Sequence, residues 1–264
     1  MNQLLKKDAF FLIAGPCVIE NEKSTLEIAE KIKHITTDLN IPFVFKASYK
    51  KANRTKLNSF TGIGDKKGLK ILKKISEKFQ IPVTTDVHSA LEATQAAEYV
   101  DIIQIPAFLC RQTDILIAAA KTKKIVNIKK GQFSSPDSVK FMIEKITHQK
   151  NNNIIITERG NSFGYTDLIV DIRNIPIMQS YGKPVVLDIT HSLQKPNQEI
   201  GISGGTPSFI ETMGCAGIAA NADGIFLETH PNPHEALSDG NTMLELKRLN
   251  KLLKKFVAIK KSIS

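Results

Sequence analysis

A chain of 264 residues, 42% hydrophobic, 23% charged and 6% aromatic, suits one barrel-sized domain and is too apolar for extended disorder. Three cysteines, odd in number and far apart at positions 17, 110 and 215, argue against a disulfide scaffold and leave each as a buried thiol or a ligand. The formal charge of +10 raises nucleic acid as a partner, but the lysines fall in short groups such as Lys66-Lys67, Lys73-Lys74 and Lys254-Lys255, as on solvated helix faces; the charge better suits anionic small substrates.

Short apolar runs bounded by turn residues predict strands at 10–15, 43–47, 82–86, 101–105, 125–129, 154–158, 184–189 and 224–228. Most are unbroken Val/Ile/Phe/Leu runs, as expected of strands covered on both faces. Helical spacing recurs between them, in Leu26, Ile28, Ala29, Ile32 and Ile35, in Leu69, Leu72, Ile75 and Phe79, in Ile115 to Ala120, and in Val139, Met142, Ile143 and Ile146. A last helical stretch runs from Leu244 through Leu246, Leu249, Leu252 and Leu253. With no Ser/Pro-rich linker and no internal repeat, the alternation predicts a single (β/α)8 TIM barrel over residues 1–264. No apolar run approaches the roughly 20 residues that span a bilayer, and the N-terminus carries no signal-peptide pattern, so a cytoplasmic protein without a membrane partner is expected.

Barrel sites form where strands end and loops begin. Cys17, Lys46, Asp86, Gln104, Lys129, Arg159, His191 and Glu228 stand at or just after the eight predicted strand ends and would converge on one pocket. Lys46, Lys51, Lys129 and Arg159 form a cationic group that suits a small phosphorylated carboxylate, the alternative being solvated lysines or pairs with Asp86 or Glu158. Asn53, Arg54 and Thr55 suit a second phosphate or a basic surface turn. The glycines at 62, 64 and 68 match neither a Walker loop nor a dinucleotide fingerprint and read as turn residues. Gly204-Gly205-Thr206-Pro207 reads as an anion-facing helix start or mobile lid, or as an ordinary cap.

A second group, Cys17, His191, Glu228 and Asp239, has no local metal spacing. Barrel closure would bring the first, seventh and eighth strands together, making a thiolate, an imidazole and two carboxylates into a divalent-metal set; a packed thiol is the other reading of Cys17. His88, His230 and His234 compete with His191 for the imidazole place, and His230 sits beside the same strand end.

These residues resemble a known family. Phe43-Val44-Phe45-Lys46-Ala47-Ser48 with Lys51-Ala52-Asn53-Arg54, Gln104-Ile105-Pro106-Ala107-Phe108-Leu109 with Arg111-Gln112-Thr113-Asp114, and Asn127-Ile128-Lys129-Lys130-Gly131-Gln132-Phe133 are similar to 3-deoxy-D-manno-octulosonate 8-phosphate synthases. So are Glu158-Arg159-Gly160 with Phe163-Gly164-Tyr165, Asp188-Ile189-Thr190-His191-Ser192, and the run from Glu228-Thr229-His230-Pro231 to Asp239. The resemblance implies condensation of phosphoenolpyruvate with arabinose 5-phosphate, in the branch of lipopolysaccharide biosynthesis that makes the eight-carbon sugar acid. It maps phosphoenolpyruvate onto Lys46, Lys51, Lys129, Arg159 and His191 with Gln104 nearby. The pentose phosphate maps onto Asn53, Arg54 and Thr55, with Arg111 reaching in from an adjacent subunit of a homotetramer. Cysteine at position 17 resembles the metal-dependent branch, implying Cys17, His191, Glu228 and Asp239 as ligands of Zn, Fe, Mn or Co. Lys129 and His191 belong with the reacting centre, and Asp86 and Asp239 are candidate proton handlers or water positioners.

Three departures stand out. Thr55 replaces the usual serine but keeps the hydroxyl, Tyr49-Lys50 replaces a commoner Phe-Asp pair, and the N-terminus is short for the extra hairpin that some members carry. The sibling condensation with erythrose 4-phosphate is the nearest rival, disfavoured because Lys-Ala-Asn-Arg stands where the sibling usually carries Lys-Pro-Arg-Thr. A basic nucleic-acid-binding protein is the rival of another class, disfavoured by the absence of Trp and the presence of only four Tyr.

Overall fold

Alternation along each strand decides where every side chain goes. In the computed structural model, which describes residues 10–164, 167–195 and 204–263, eight parallel strands form as the apolar runs predict. They are β1 (Phe11–Gly15), β2 (Phe43–Lys46), β3 (Val83–Asp86), β4 (Ile102–Ile105), β5 (Ile125–Lys129), β6 (Ile154–Glu158), β7 (Val185–Asp188) and β8 (Gly224–His230). Each pairs with the next, and β8 pairs back onto β1 from Phe11 opposite Gly224 to Gly15 opposite Glu228. That last ladder closes the sheet into a barrel.

Among the described residues, eight α-helices surround it: α1 (Glu22–Asp38), α2 (Asp65–Phe79), α3 (Ala90–Ala96), α4 (Thr113–Lys121), α5 (Val139–Thr147), α6 (Asn174–Gln179), α7 (Ile210–Ala219) and α8 (Leu249–Ile263). Outward strand residues such as Leu12, Phe45, Ile103, Ile156 and Leu227 merge with helical Ile28, Leu72, Leu116 and Ile143 into one apolar layer. Inward, Phe11, Ile13, Val44, Ile102, Ile125, Ile155, Val186 and Phe226 form a separate apolar plug. Two residues further along the same inward faces come Lys46, Gln104, Asn127, Thr157, Asp188 and Glu228, all buried. The strands read as unbroken apolar runs because the inward face turns polar only at their last positions.

The C-terminal helix begins later than the leucine spacing predicts. Leu244 and Leu246 are two residues apart, a strand interval, and Leu244–Glu245 accordingly pairs with Thr229 and His230 at the end of β8. Helical intervals start at Leu249, where α8 begins. In α7, Gly214 lies where a Cβ would fall 2.1 Å from the Phe256 ring and Gly217 where one would fall 2.4 Å from Leu187, so both glycines let α7 sit close to α8 and β7. Gly62 and Gly64 have φ of 136° and 101°, which bears out the turn reading of these two. Gly204–Gly205 pairs with Gln194–Lys195 in a two-residue ladder ahead of the turn into α7.

Asn161–Gly164 and Asp167–Ile169 form a small hairpin after β6. Tyr165 and the amino-terminal stretch bearing on the extra hairpin lie outside the described residues. Among the described residues, no helix is long and apolar enough to cross a membrane.

Candidate active site

The polar upper layer opens into a cavity of about 360 Å³. Lys46, Lys51, Asp86, Gln104, Lys129, Arg159, His191 and Asp239 all line it, as do Asn53, Arg54 and Thr55 from the loop after β2. Cys17 and Glu228 are buried immediately beside it, at 1% and 0% exposure. Thus the strand-end residues do converge, and the loop after β2 folds over them. Arg111 does not line this cavity. It is exposed and lies along a separate groove with Phe133 and Phe141.

Two of the four cations, Lys46 and Lys129, are paired, with carboxylates other than Asp86 or Glu158. Lys46 Nζ donates to Glu228 Oε1 at 2.8 Å, to Ser48 Oγ at 3.1 Å and to the Cys17 carbonyl at 3.2 Å. Lys129 bonds Asp188 and rests 3.5 Å from the centre of the Phe226 ring. Burial, opposed by Asp188 and assisted by Lys46 and Arg159, brings the Lys129 ammonium down to about 8. Lys51 goes the other way: Cys17, Glu228, Asp86 and Asp239 outweigh its burial and push it up.

Glu158 serves a different cation. Lys130, wholly buried, lies 3.4 Å from Glu158 Oε1 and donates to Asn161 Oδ1 at 2.8 Å. The same Glu158 oxygen accepts the backbone N–H groups of Arg159 at 2.8 Å and Gly160 at 2.6 Å, while Oε2 accepts from Asn174 at 2.9 Å. This network fixes the backbone from which Arg159 reaches the cavity. There Arg159 Nη2 donates to Gln194 Oε1 at 2.7 Å, and Nη1 is buried with no partner. Across the mouth, Arg54 Nη1 donates to Ser238 Oγ at 2.7 Å while its Nε is likewise buried and unpartnered. Two guanidinium groups on different sides of the ring therefore hold free donors, as an anion seat requires.

Cys17, Glu228 and Asp239 present ligand atoms within 4.8 Å of one another. Cys17 Sγ lies 3.0 Å from Asp239 Oδ2, and Glu228 Oε2 is buried with no hydrogen-bond partner. Burial together with Asp239 and Glu228 pushes the Cys17 thiol well up, against the opposing pull of Lys51 and Lys46. Glu228 is nevertheless held ionised: Lys46, His191 and Lys51 outweigh burial and bring it down to about 2. His191 stands one step outside the three-residue cluster, its Nε2 3.5 Å from Glu228 Oε1 and its Nδ1 2.7 Å from Asp188 Oδ2. An imidazole anchored through Nδ1 on a carboxylate leaves Nε2 for a metal, and the orphan Glu228 oxygen needs a cation, so these residues fit one. His230 instead holds its own turn through Asn232, and His234 is exposed.

Asp188, Ser48, Phe226, Gln194 and Ser238 belong to the site without having been singled out. Asp188 was legible in principle, since it follows the inward apolar Val186 by two positions, and Phe226 is itself the inward apolar residue of β8. Ser48, Gln194 and Ser238 lie outside the barrel strands and carry no periodic signal.

Residues 5–264 match the model of the DAHP synthetase I family. The chain belongs to this family. It is 52% identical over 94% of its length, and 91% of the relative's, to the 2-dehydro-3-deoxyphosphooctonate aldolase of Geotalea uraniireducens. It is 48% identical, over 96% of its own length and 92% of the relative's, to the enzyme of that name from Koribacter versatilis. The match to this family agrees with the resemblance carried by the strand-end motifs, and the family's erythrose 4-phosphate branch is not favoured.

Proposed function

We propose that the cavity condenses phosphoenolpyruvate with D-arabinose 5-phosphate and water, releasing phosphate and 3-deoxy-D-manno-octulosonate 8-phosphate for lipopolysaccharide biosynthesis. The observation that carries this reading is the pair of guanidinium groups, on Arg159 and Arg54, that line one cavity and each keep a buried donor without a partner. One substrate with two anionic groups and a second with a terminal phosphate match that arrangement, and the relatives' shared name supports it.

Lys46, Lys129 and Arg159, with Lys51, His191 and Gln104 around them, would hold the enol phosphate and carboxylate. Asn53, Arg54 and Thr55 would hold the pentose phosphate and bring its aldehyde against C3 of the enol, turning an encounter into an effectively intramolecular step. Asp86 and Asp239, both held below the usual carboxylate range at the cavity wall, would position water or take up a proton during the reaction. Cys17, His191, Glu228 and Asp239 would hold a divalent cation, Zn, Fe, Mn or Co, which when bound supplies Lewis-acid polarisation of the aldehyde.

In this reading the enzyme is a cytoplasmic homotetramer, in which the exposed Arg111 reaches a neighbouring subunit's cavity; its exposure beside Phe133 and Phe141 supports that placement. The deciding experiment is phosphate release from phosphoenolpyruvate with arabinose 5-phosphate or erythrose 4-phosphate, with and without chelator. Activity with the five-carbon sugar, lost on chelation and absent from Cys17→Ala at any metal concentration, is expected. Full activity of chelated Cys17→Ala would remove the metal, and preference for the four-carbon sugar would overturn the reaction.

A further inference from the structure

Behind the cavity wall, a chain of hydrogen bonds leads away from Asp86 to a residue that the reaction does not touch. Asp86 Oδ2 lies 3.2 Å from His88 Nε2, and His88 Nδ1 lies 3.0 Å from Glu92 Oε2 in the first turn of α3. The same Glu92 oxygen accepts the His88 backbone N–H at 2.9 Å and the Tyr49 hydroxyl at 2.7 Å, while Oε1 lies 3.3 Å from Lys50 Nζ. Glu92 is itself fixed by its backbone bond to the Ser89 side chain, the α3 cap, at 3.1 Å. On the cavity side, Asp86 Oδ1 accepts from Ser48 Oγ, and Ser48 Oγ accepts from Lys46 Nζ.

We propose that Glu92 is a positioning residue that holds His88 as an imidazolium and thereby presents a fixed, ionised Asp86 to the cavity. It rests on the reaction proposed above. A neutral imidazole has one N–H, so it can satisfy only one of two flanking carboxylates and turns a lone pair on the other. Glu92, with three donors and Lys50 around it, is bound to stay ionised, which leaves Asp86 as the contact that a neutral His88 would lose. The carboxylate would then turn or take up a proton, and its link through Ser48 to Lys46 would loosen.

The groups facing His88 are Asp86 from β3, Glu92 from α3 and the Phe108 ring, stacked at 6.4 Å and 20°. Tyr49 and Lys50 face Glu92 from the loop after β2, and Asp65 of α2 lies 3.5 Å from Lys50. Both carboxylates outweigh burial and raise His88, in agreement with the geometry. Tyr49 and Lys50 are the pair that departs from the commoner Phe-Asp, and both departures end on Glu92.

The test is a ring-nitrogen NMR titration of His88 in the full-length protein carrying labelled histidine, alongside the pH profile of condensation, in the parent, Glu92→Gln and Tyr49→Phe. His88 is expected as an imidazolium at neutral pH in the parent. In Glu92→Gln its midpoint falls by about one pH unit or more, since a carboxylate contact shifts a neighbour by that amount. The alkaline limb of kcat falls with it, while KM for phosphoenolpyruvate moves little; Tyr49→Phe, which keeps the carboxylate, moves neither midpoint nor limb. A neutral His88 at pH 7 in the parent overturns the inference, and this reading needs no variant to fold. So does an unmoved midpoint in Glu92→Gln, or a moved midpoint with an unmoved limb. Absence of condensation in the parent would instead sink the reaction and leave the His88 titration to be judged alone.

Discussion

The lower and upper halves of the barrel interior are built on the same strands and separated by two residues of chain. Below, Phe11, Ile13, Val44, Ile102, Ile125, Ile155, Val186 and Phe226 pack into one apolar cluster and exclude water. Above, Lys46, Asp86, Lys129, Arg159, Asp188 and Glu228 are equally buried and carry charge. The lower half gains free energy by leaving water, at roughly 1.5–3 kcal/mol for each large side chain. The upper half loses it, because charges are desolvated and donors are left open. A rigid apolar floor lets an otherwise unfavourable cluster of ions hold its geometry, and Phe226 joins the two halves by placing its ring against Lys129.

Breaking the upper half first should produce the largest effect. Arg159→Ala removes a guanidinium whose Nη1 has no protein partner, so folding loses one bond to Gln194 and is relieved of a buried charge. We expect kcat/KM for phosphoenolpyruvate to fall by about 10²–10³-fold, the cost of losing a donor aimed at substrate charge. Thermal unfolding should occur at the parent temperature or above it. A melting temperature that falls together with activity would mean that Arg159 belongs to the scaffold.

The converse experiment is Ile13→Ala in the floor. Ile13 is wholly buried in the plug, and truncation leaves a cavity that the surrounding strands cannot close. Denaturant unfolding should show a loss of about 2–5 kcal/mol, with turnover per folded molecule nearly unchanged. A collapse of kcat without a loss of stability would show that floor and site are not separable in the way their contacts suggest.

The strands and the strand-end residues were legible because a parallel barrel demands unbroken outward apolar faces and places its chemistry at one end. Phe43–Lys46 and Ile125–Lys129 show both signals in five residues or fewer. What stayed hidden is pairing across the ring. Nothing in the sequence tells that Lys129 meets Asp188, 59 positions away, or that Lys46 meets Glu228, 182 positions away. The Cys17, Glu228 and Asp239 cluster needed barrel closure to be imagined at all. His191 was expected among the ligands, and its Nε2 stands 3.5 Å from Glu228, one step outside the three-residue cluster. The late start of α8 was legible in retrospect, since Leu244 and Leu246 keep a strand interval and not a helical one.

The smallest effect should come from the seam between the halves. There Thr157 Oγ1 donates to Asn127 Oδ1 at 2.7 Å, and Asn127 Nδ2 donates to Gln104 Oε1 at 3.3 Å, a chain that ends on a cavity-lining residue. Thr157→Val keeps the shape of the side chain and leaves the Asn127 oxygen buried without a donor, at a cost of about 1 kcal/mol or slightly more. Denaturant unfolding measures that loss. If the seam serves the floor, stability alone falls, because the Asn127 amide stays on Gln104. If it serves the site, Asn127 turns to find another donor, releases Gln104, and KM for phosphoenolpyruvate rises while kcat holds. The 2.7 Å Thr157 bond is the shorter of the two, so its loss frees Asn127 more than the loss of its partner would. The rise in KM is therefore the expected outcome, and an unchanged KM would move the boundary between floor and site one residue higher on β5 and β6.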